Sequence, residues 1–272
     1  LQIQDFDIDR LDNRVWVYDN HSSKFIVYDE SLTNYEETRL PIYFLEFAIK
    51  GPDSIYVRNL YSEGKILHRV AELNTRDMKY KSLMDNGKNE VGLNIVSFGQ
   101  LLNRSGENVL FTPRFKGSIF RIINGKMENV LNVIAPFPDE SLIEKYRNQP
   151  MDVLQEEGHT LAIIEIFENE SLLTFKIFET TPSNAPTVIY SIETKQAFRL
   201  ELFNQEKYFG DGRIVGVAEN KFISLNEPSH LHEDFLRKKI QESPLSEENK
   251  STLLNAQPSD NPIIILFDFI DY

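Results

Sequence analysis

The feature that most constrains this chain is a strand-like unit that comes back. Residues 14 to 31 read RVWVYDNHSSKFIVYDES, two short apolar runs that each end in Tyr-Asp around a polar turn. Ahead of them, Phe6 and Ile8 alternate with Asp5, Asp7 and Asp9, and a polar run from Tyr35 to Leu40 follows. A period of two marks a strand, because successive side chains point to opposite faces of a sheet. Asp12-Asn13 and Asn20-His21-Ser22-Ser23 are turns of the length antiparallel hairpins use. Residues 3–40 therefore predict a four-stranded antiparallel meander.

The unit then repeats. Ile42 to Ile49, Ser54 to Arg58, Lys65 to Leu73 and Met78 to Met84 form a second set. Ile95 to Leu102, Asn108 to Phe111, Ser118 to Ile123 and Met127 to Ile134 form a third, with Asn124-Gly125 at a hairpin turn. Thr160 to Phe167, Ser171 to Glu179 and Thr187 to Ser191 make a fourth. The fifth set takes Arg199 to Phe203, Arg213 to Val217, Lys221 to Leu225 and Pro262 to Phe269. Four-stranded units recurring at roughly 40–50 residues are the signature of a β-propeller.

Helical pattern is sparse. Asp139 to Asn148 predicts one short helix; Ser229 to Gln241 and Glu247 to Asn255 predict two more, parted by Ser243-Pro244 and closed by Pro258. This insert, residues 229–256, falls inside the last blade, because a strand-like run over 262–270 follows it. That run is expected to pair antiparallel with Lys221 to Leu225 and, being apolar on both faces, to lie between neighbouring blades. Residues 1–272 read as one domain.

Composition narrows the function classes. Lys and Arg number 29 against 42 Asp and Glu, a net charge of −13. Such a surface repels phosphate backbones, so nucleic acid is not an expected partner. There is no cysteine, hence no disulfide, no thiolate metal site and no Cys nucleophile. No apolar run approaches the ~20 residues of a membrane-spanning helix.

Particular stretches go beyond the repeat. FTPRFKGSIFRIINGKMENVLNV (111–133), FENESLLTFKIFE (167–179), VGVAENKFISLNEP (215–228) and DNPIIILFDFI (260–270) occur in the order seen in the six-bladed β-propeller proteins of Bacteroidetes. That family is distantly like the NHL-repeat propellers, and the opening DFDIDRLDNRVWVYDNHSSKFIVYDES resembles one of its early blades. Members usually carry an earlier blade ending in a Gly-Gln-Gly-Pro-Gly-Glu-like loop, which has no counterpart here. Five units stand where the family has six, so the resemblance implies a first blade ahead of Leu1. It also implies a periplasmic or cell-surface location, with lipid anchoring through a segment ahead of Leu1.

The side chains that could carry chemistry fall into no compact motif. His21, His68, His159, His230 and His232 lack ligand spacing, and His230-X-His232 falls at a helix start where alternate residues point apart. Asp5, Asp7, Asp9 and Asp12 lack the glycine and terminal glutamate of a calcium loop and read as an exposed strand face. Trp16, Tyr18 and Tyr28 read as filling between blades. No nucleophile elbow or phosphate loop occurs, and no cofactor or metal is expected. The connection APFPDESLIEKYRNQPMDVLQEEGH (135–159) is long for a compact domain, and such loops often carry function. Within it Tyr146 and Arg147 are the candidate ligand contacts. The expectation is a non-catalytic binding or scaffolding propeller at the cell envelope with a protein or glycan partner. The alternative is a carboxylate-based hydrolase or lyase acting on a glycan in the central pocket.

Overall fold

The computed structural model describes residues 3–62, 65–85, 100–146, 152–179, 185–200, 214–226, 234–243, 245–257, 259–260 and 262–269. Nineteen strands within them form five antiparallel sheets, each laid out in chain order. The first holds β1 (Ile3–Asp9), β2 (Arg14–Asp19), β3 (Lys24–Tyr28) and β4 (Tyr35–Arg39). The second holds β5 (Glu46–Gly51), β6 (Ser54–Ser62), β7 (Lys65–Asn74) and β8 (Tyr80–Asp85). The third holds β9 (Leu102–Ser105), β10 (Asn108–Phe111), β11 (Ser118–Ile123) and β12 (Lys126–Asn132). Two short helices follow, α1 (Glu140–Lys145) and α2 (Asp152–Glu156). The fourth sheet holds β13 (Ala162–Glu168), β14 (Leu172–Phe178), β15 (Thr187–Ser191) and β16 (Ala197–Leu200). The fifth holds β17 (Ile214–Ala218), β18 (Lys221–Asn226) and β19 (Ile263–Phe267), with helices α3 (Asp234–Glu242) and α4 (Glu247–Asn255) between the last two strands. This is an all-β propeller of five blades with a few small helices.

The turns behave as their residues dictate. Asn124 and Gly125 both have positive φ, 49° and 70°, the backbone of a two-residue hairpin whose twist matches the flanking strands. The Gly125 N–H donates to the Tyr56 hydroxyl at 3.1 Å, tying this turn of the third sheet to β6 of the second. Asp19 accepts from the His21 N–H at 3.0 Å and the Ser22 hydroxyl at 2.7 Å, closing the β2–β3 turn.

Two compact units divide the chain, residues 1–166 with 177–185, and residues 167–176 with 186–272. In the first, Trp16, Tyr18 and Phe25 pack with Leu40, Phe44, Phe47, Ile49, Ile55 and Val57. The Tyr18 and Phe44 rings stack at 4.2 Å, and Phe25 meets Phe47 edge-on at 5.0 Å. The expected filling role of Trp16 and Tyr18 is thus met by the first two sheets. A second cluster joins Ile143, Tyr146 and Leu154 of the helical connection to Leu101, Phe115, Leu161, Ala162 and Ile164. In the other unit, Phe222 is fully buried with Phe167, Ile214 and Val217, against Phe267 and Phe269.

Three expectations change. Arg199 to Phe203 was expected to open the fifth blade, but Ala197–Leu200 pairs with β15 and closes the fourth. The reason is a tight turn at 192–195: Ser191 Oγ accepts the Thr194 N–H at 3.1 Å, and Lys195, at φ 61°, reverses the chain. Strand β19 does pair antiparallel with β18, Phe222 opposite Phe267 and Asn226 opposite Ile263. Only one of its faces packs, however: Ile264 is 66% and Leu266 46% exposed. The acidic series on β1 is also reversed, with Asp5 and Asp9 buried.

Candidate functional site

The first strand of a blade has a neighbour on one side only, so its other edge carries free N–H and C=O groups that need partners. In residues 1–166 those partners are side chains from the first strand of the preceding blade. Phe47 and Ile49 of β5 pair with Val57 and Ile55 but turn their N–H groups away from β6. Asp5 Oδ2 accepts the first at 2.8 Å and Asp7 Oδ2 the second at 2.7 Å. The remaining oxygen of each accepts from the following residue, Phe6 N–H at 2.9 Å and Ile8 N–H at 2.8 Å.

The pattern repeats one blade on. Glu46 of β5 accepts the N–H groups of Leu101 at 3.1 Å and Leu102 at 2.8 Å. Arg58 of β6 grips the same carboxylate through two bonds, 2.7 Å from Nε and 2.6 Å from Nη2, with both side chains buried. Carbonyls are served as well. Arg104 Nη1 donates to Ile49 C=O at 2.9 Å while lying 3.7 Å from Asp7 Oδ2, and Asn103 Nδ2 donates to Ile166 C=O at 3.2 Å. Farther out, the Thr112 hydroxyl donates to Ile163 C=O at 2.7 Å.

The acids of β1 therefore do not form an exposed face. Asp5 is 6% and Asp9 2% exposed, whereas Phe6 is 61% and Ile8 46% exposed. Alternation assigned the two sets to opposite faces correctly and inverted which one is covered. Burial, with the Glu46 carboxylate as the next cause, pushes the Asp5 carboxyl up to about 8 against its two N–H bonds. Asp7 is also raised by burial, opposed by the Ile49 N–H and the Arg104 guanidinium.

The helical connection is anchored at both ends. Asp139 caps α1 by accepting the Leu142 N–H at 2.8 Å. Tyr146 ends that helix with its ring buried beside Ile143 and Leu154. Its hydroxyl donates to Glu157 and accepts from Lys145 Nζ at 2.8 Å, and Lys145 Nζ also lies 4.5 Å from the ring centre. Tyr146 is thus a packed residue whose polar tip joins two charged neighbours. Arg147, the other expected contact, lies outside the described residues.

The described histidines have separate partners. His68 Nδ1 is 3.0 Å from Asp85, which also accepts the Ser82 hydroxyl at 2.6 Å. His159 Nδ1 is 3.1 Å from Pro136 C=O. His230 and His232 lie outside the described residues. Among the described residues no group of three or more His, Asp or Glu is arranged to hold a metal ion, and no helix is long and apolar enough to cross a membrane. Sequence reading overlooked Glu46, Arg58 and Arg104. A signal existed for the first two: each is a lone charge in an apolar run, and the hairpin sets them opposite one another.

Five antiparallel sheets of three or four strands, the first four linked through β1, β5, β9 and β13 by side-chain bonds to backbone, define a β-propeller. Residues 1–224 match DUF5128, a family described as a 6-bladed β-propeller, and the chain belongs to it. No curated protein matches. Among solved structures the chain is similar to a Bacteroides fragilis protein described as exported, at 14% identity and a TM-score of 0.72, over 97% of this chain and 76% of that one. It is also similar to a DUF4221 member from Bacteroides vulgatus, at 10% identity and a TM-score of 0.48, over 79% of this chain and 70% of that one. A catalytically inactive virginiamycin B lyase from Staphylococcus aureus, solved with quinupristin, aligns at 11% identity and a TM-score of 0.44, over 83% of this chain and 64% of that one. At these identities the likeness is one of fold.

Proposed function

We propose that this propeller is a non-catalytic binding or scaffolding module of the bacterial cell envelope, with a protein or glycan partner. The observation that carries the reading is the engagement of Asp5, Asp7 and Glu46 on the first strands of two blades. Asp5, Asp7 and Glu46 are carboxylates a glycan hydrolase or lyase could draw on, and each already accepts backbone N–H groups, Glu46 with Arg58 as well. A general acid or nucleophile needs an oxygen free to meet substrate.

Ligand contact falls to the connection 135–159, with Tyr146 and Arg147 as the contacting residues. Tyr146 contributes its hydroxyl, held between exposed Lys145 and Glu157. Envelope location is supported by the family resemblance and by the exported protein of the same fold.

A glycan array of bacterial and host polysaccharides, run alongside a reducing-end assay on the same sugars, tests the reading. Binding without new reducing ends is expected, weakened by Tyr146→Phe and Arg147→Ala. Release of reducing ends that Glu46→Gln or Asp7→Asn abolishes would overturn it.

A further inference from the structure

The bonds between β1 and β5 are not equal in charge. Asp7 has the Arg104 guanidinium 3.7 Å away, and Glu46 has Arg58 in a two-bond grip. Among the described residues no Lys or Arg pairs with Asp5. Its cross-strand neighbour on β2 is Tyr18, from β5 it faces Glu46, and along β1 it faces Asp7. Both flanking charges are negative. A buried carboxyl with two carboxylate neighbours and no cation keeps its proton well above the ordinary range for aspartate.

We propose that Asp5 is a proton-controlled latch between the first two blades: protonated, it keeps β1 seated on the free edge of β5; ionised, it favours release of β1. The geometry makes the device local. Asp5 spans two strands with one side chain, one oxygen on the N–H of Phe6 in β1 and the other on the N–H of Phe47 in β5. Separating the strands frees Phe47 N–H and returns Asp5 to water, where it titrates near its ordinary 3.8.

The sign follows from linkage. Between that value and about 8, the seated state holds a proton that the released state has lost. Rising pH therefore favours release, by up to about tenfold per pH unit for one proton. Above about 8 both states are ionised and the dependence levels off. The contribution of Asp5 to the hold of β1 is greatest at and below its ordinary value of 3.8 and falls as pH rises toward about 8.

Amide hydrogen exchange on the intact chain tests this, with each rate corrected for the intrinsic pH dependence of exchange. Protection at Phe47 and Ile49 should fall about tenfold per pH unit between pH 5 and 8, and Asp5→Asn should flatten that slope whatever its effect on overall stability. A wild-type slope of zero, or the same slope in Asp5→Asn, overturns the proposal. Should the variant fail to fold, the carbon-13 shift of the Asp5 carboxyl in the wild-type protein decides: a midpoint near 8 supports the latch and one near 4 ends it. Neither readout involves the envelope partner, so the latch and the binding role can fail separately.

Discussion

Glu46 on β5 holds the N–H of Leu102, fifty-six residues later on β9, at 2.8 Å. One side chain thus ends a strand edge in the next blade and, through Arg58, closes its own hairpin. Glu46→Gln should leave Arg58 buried without its counter-ion, and breaking such a pair costs about 3–5 kcal/mol. Arg58→Met added to that variant should cost clearly less than Arg58→Met alone, because the stranded charge is removed. Urea unfolding measures both; strictly additive costs would show that the two side chains act independently.

The β3–β4 turn depends on one carboxylate. Asp29 accepts the Asn34 side-chain amide at 2.7 Å, the Ser31 hydroxyl at 2.7 Å and the Thr33 N–H at 3.2 Å. The Asn34 and Ser31 bonds lead in lowering its carboxyl to about 2. A depressed acid stabilises the fold above its unfolded value and loses that contribution as pH falls through the folded one. The turn should hold at pH 5 and loosen between about pH 4 and 2, with Ser31 and Asn34 resonances moving together. Unchanged resonances at pH 2 would sink this.

The cap on α1 controls where Tyr146 sits. Asp139→Ala removes the acceptor for the Leu142 N–H and should cost about 1 kcal/mol, the usual worth of such a cap. Asp139→Asn should recover most of it. Ligand contact through the Tyr146 hydroxyl predicts weaker binding in Asp139→Ala; binding that tracks only global stability would argue against it.

Strand β19 packs on one side. Phe222→Ala should cost roughly 3–5 kcal/mol, since Phe222 is fully buried against Phe267 and Phe269. Ile264→Ala, at a 66% exposed position, should change stability by no more than about 0.5 kcal/mol. Comparable losses in thermal melts of the two variants would mean that something covers Ile264 in solution.

Much of this fold was legible in residues. Period-two runs and the Asn124-Gly125 turn placed most strands, since each is a local property of the backbone. Membership of β16 was not, because Ala197–Leu200 reads as a strand whichever sheet receives it, and only the reversal at Lys195 decides. The β1 acids show the same limit more sharply. Alternation separates Asp5 and Asp7 from Phe6 and Ile8, yet which face is covered depends on an edge forty-two residues away. Of the candidate site, Tyr146 was proposed from the length of its connection, Glu46 and Arg58 were legible as lone charges in apolar runs, and Arg104 acts on a main-chain carbonyl that leaves no mark on residue type.

The latches join a side chain to a main chain, and a peptide N–H is the same whichever residue bears it. Asp5 and Asp7 thus place no demand on the identities of residues 47 and 49, except that neither be proline. Across divergent sequences, position 5 should stay acidic with no matching change at position 47, so co-variation between the two would be silent. A blade built this way can drift in sequence, or be exchanged for another, while its neighbour goes on holding it.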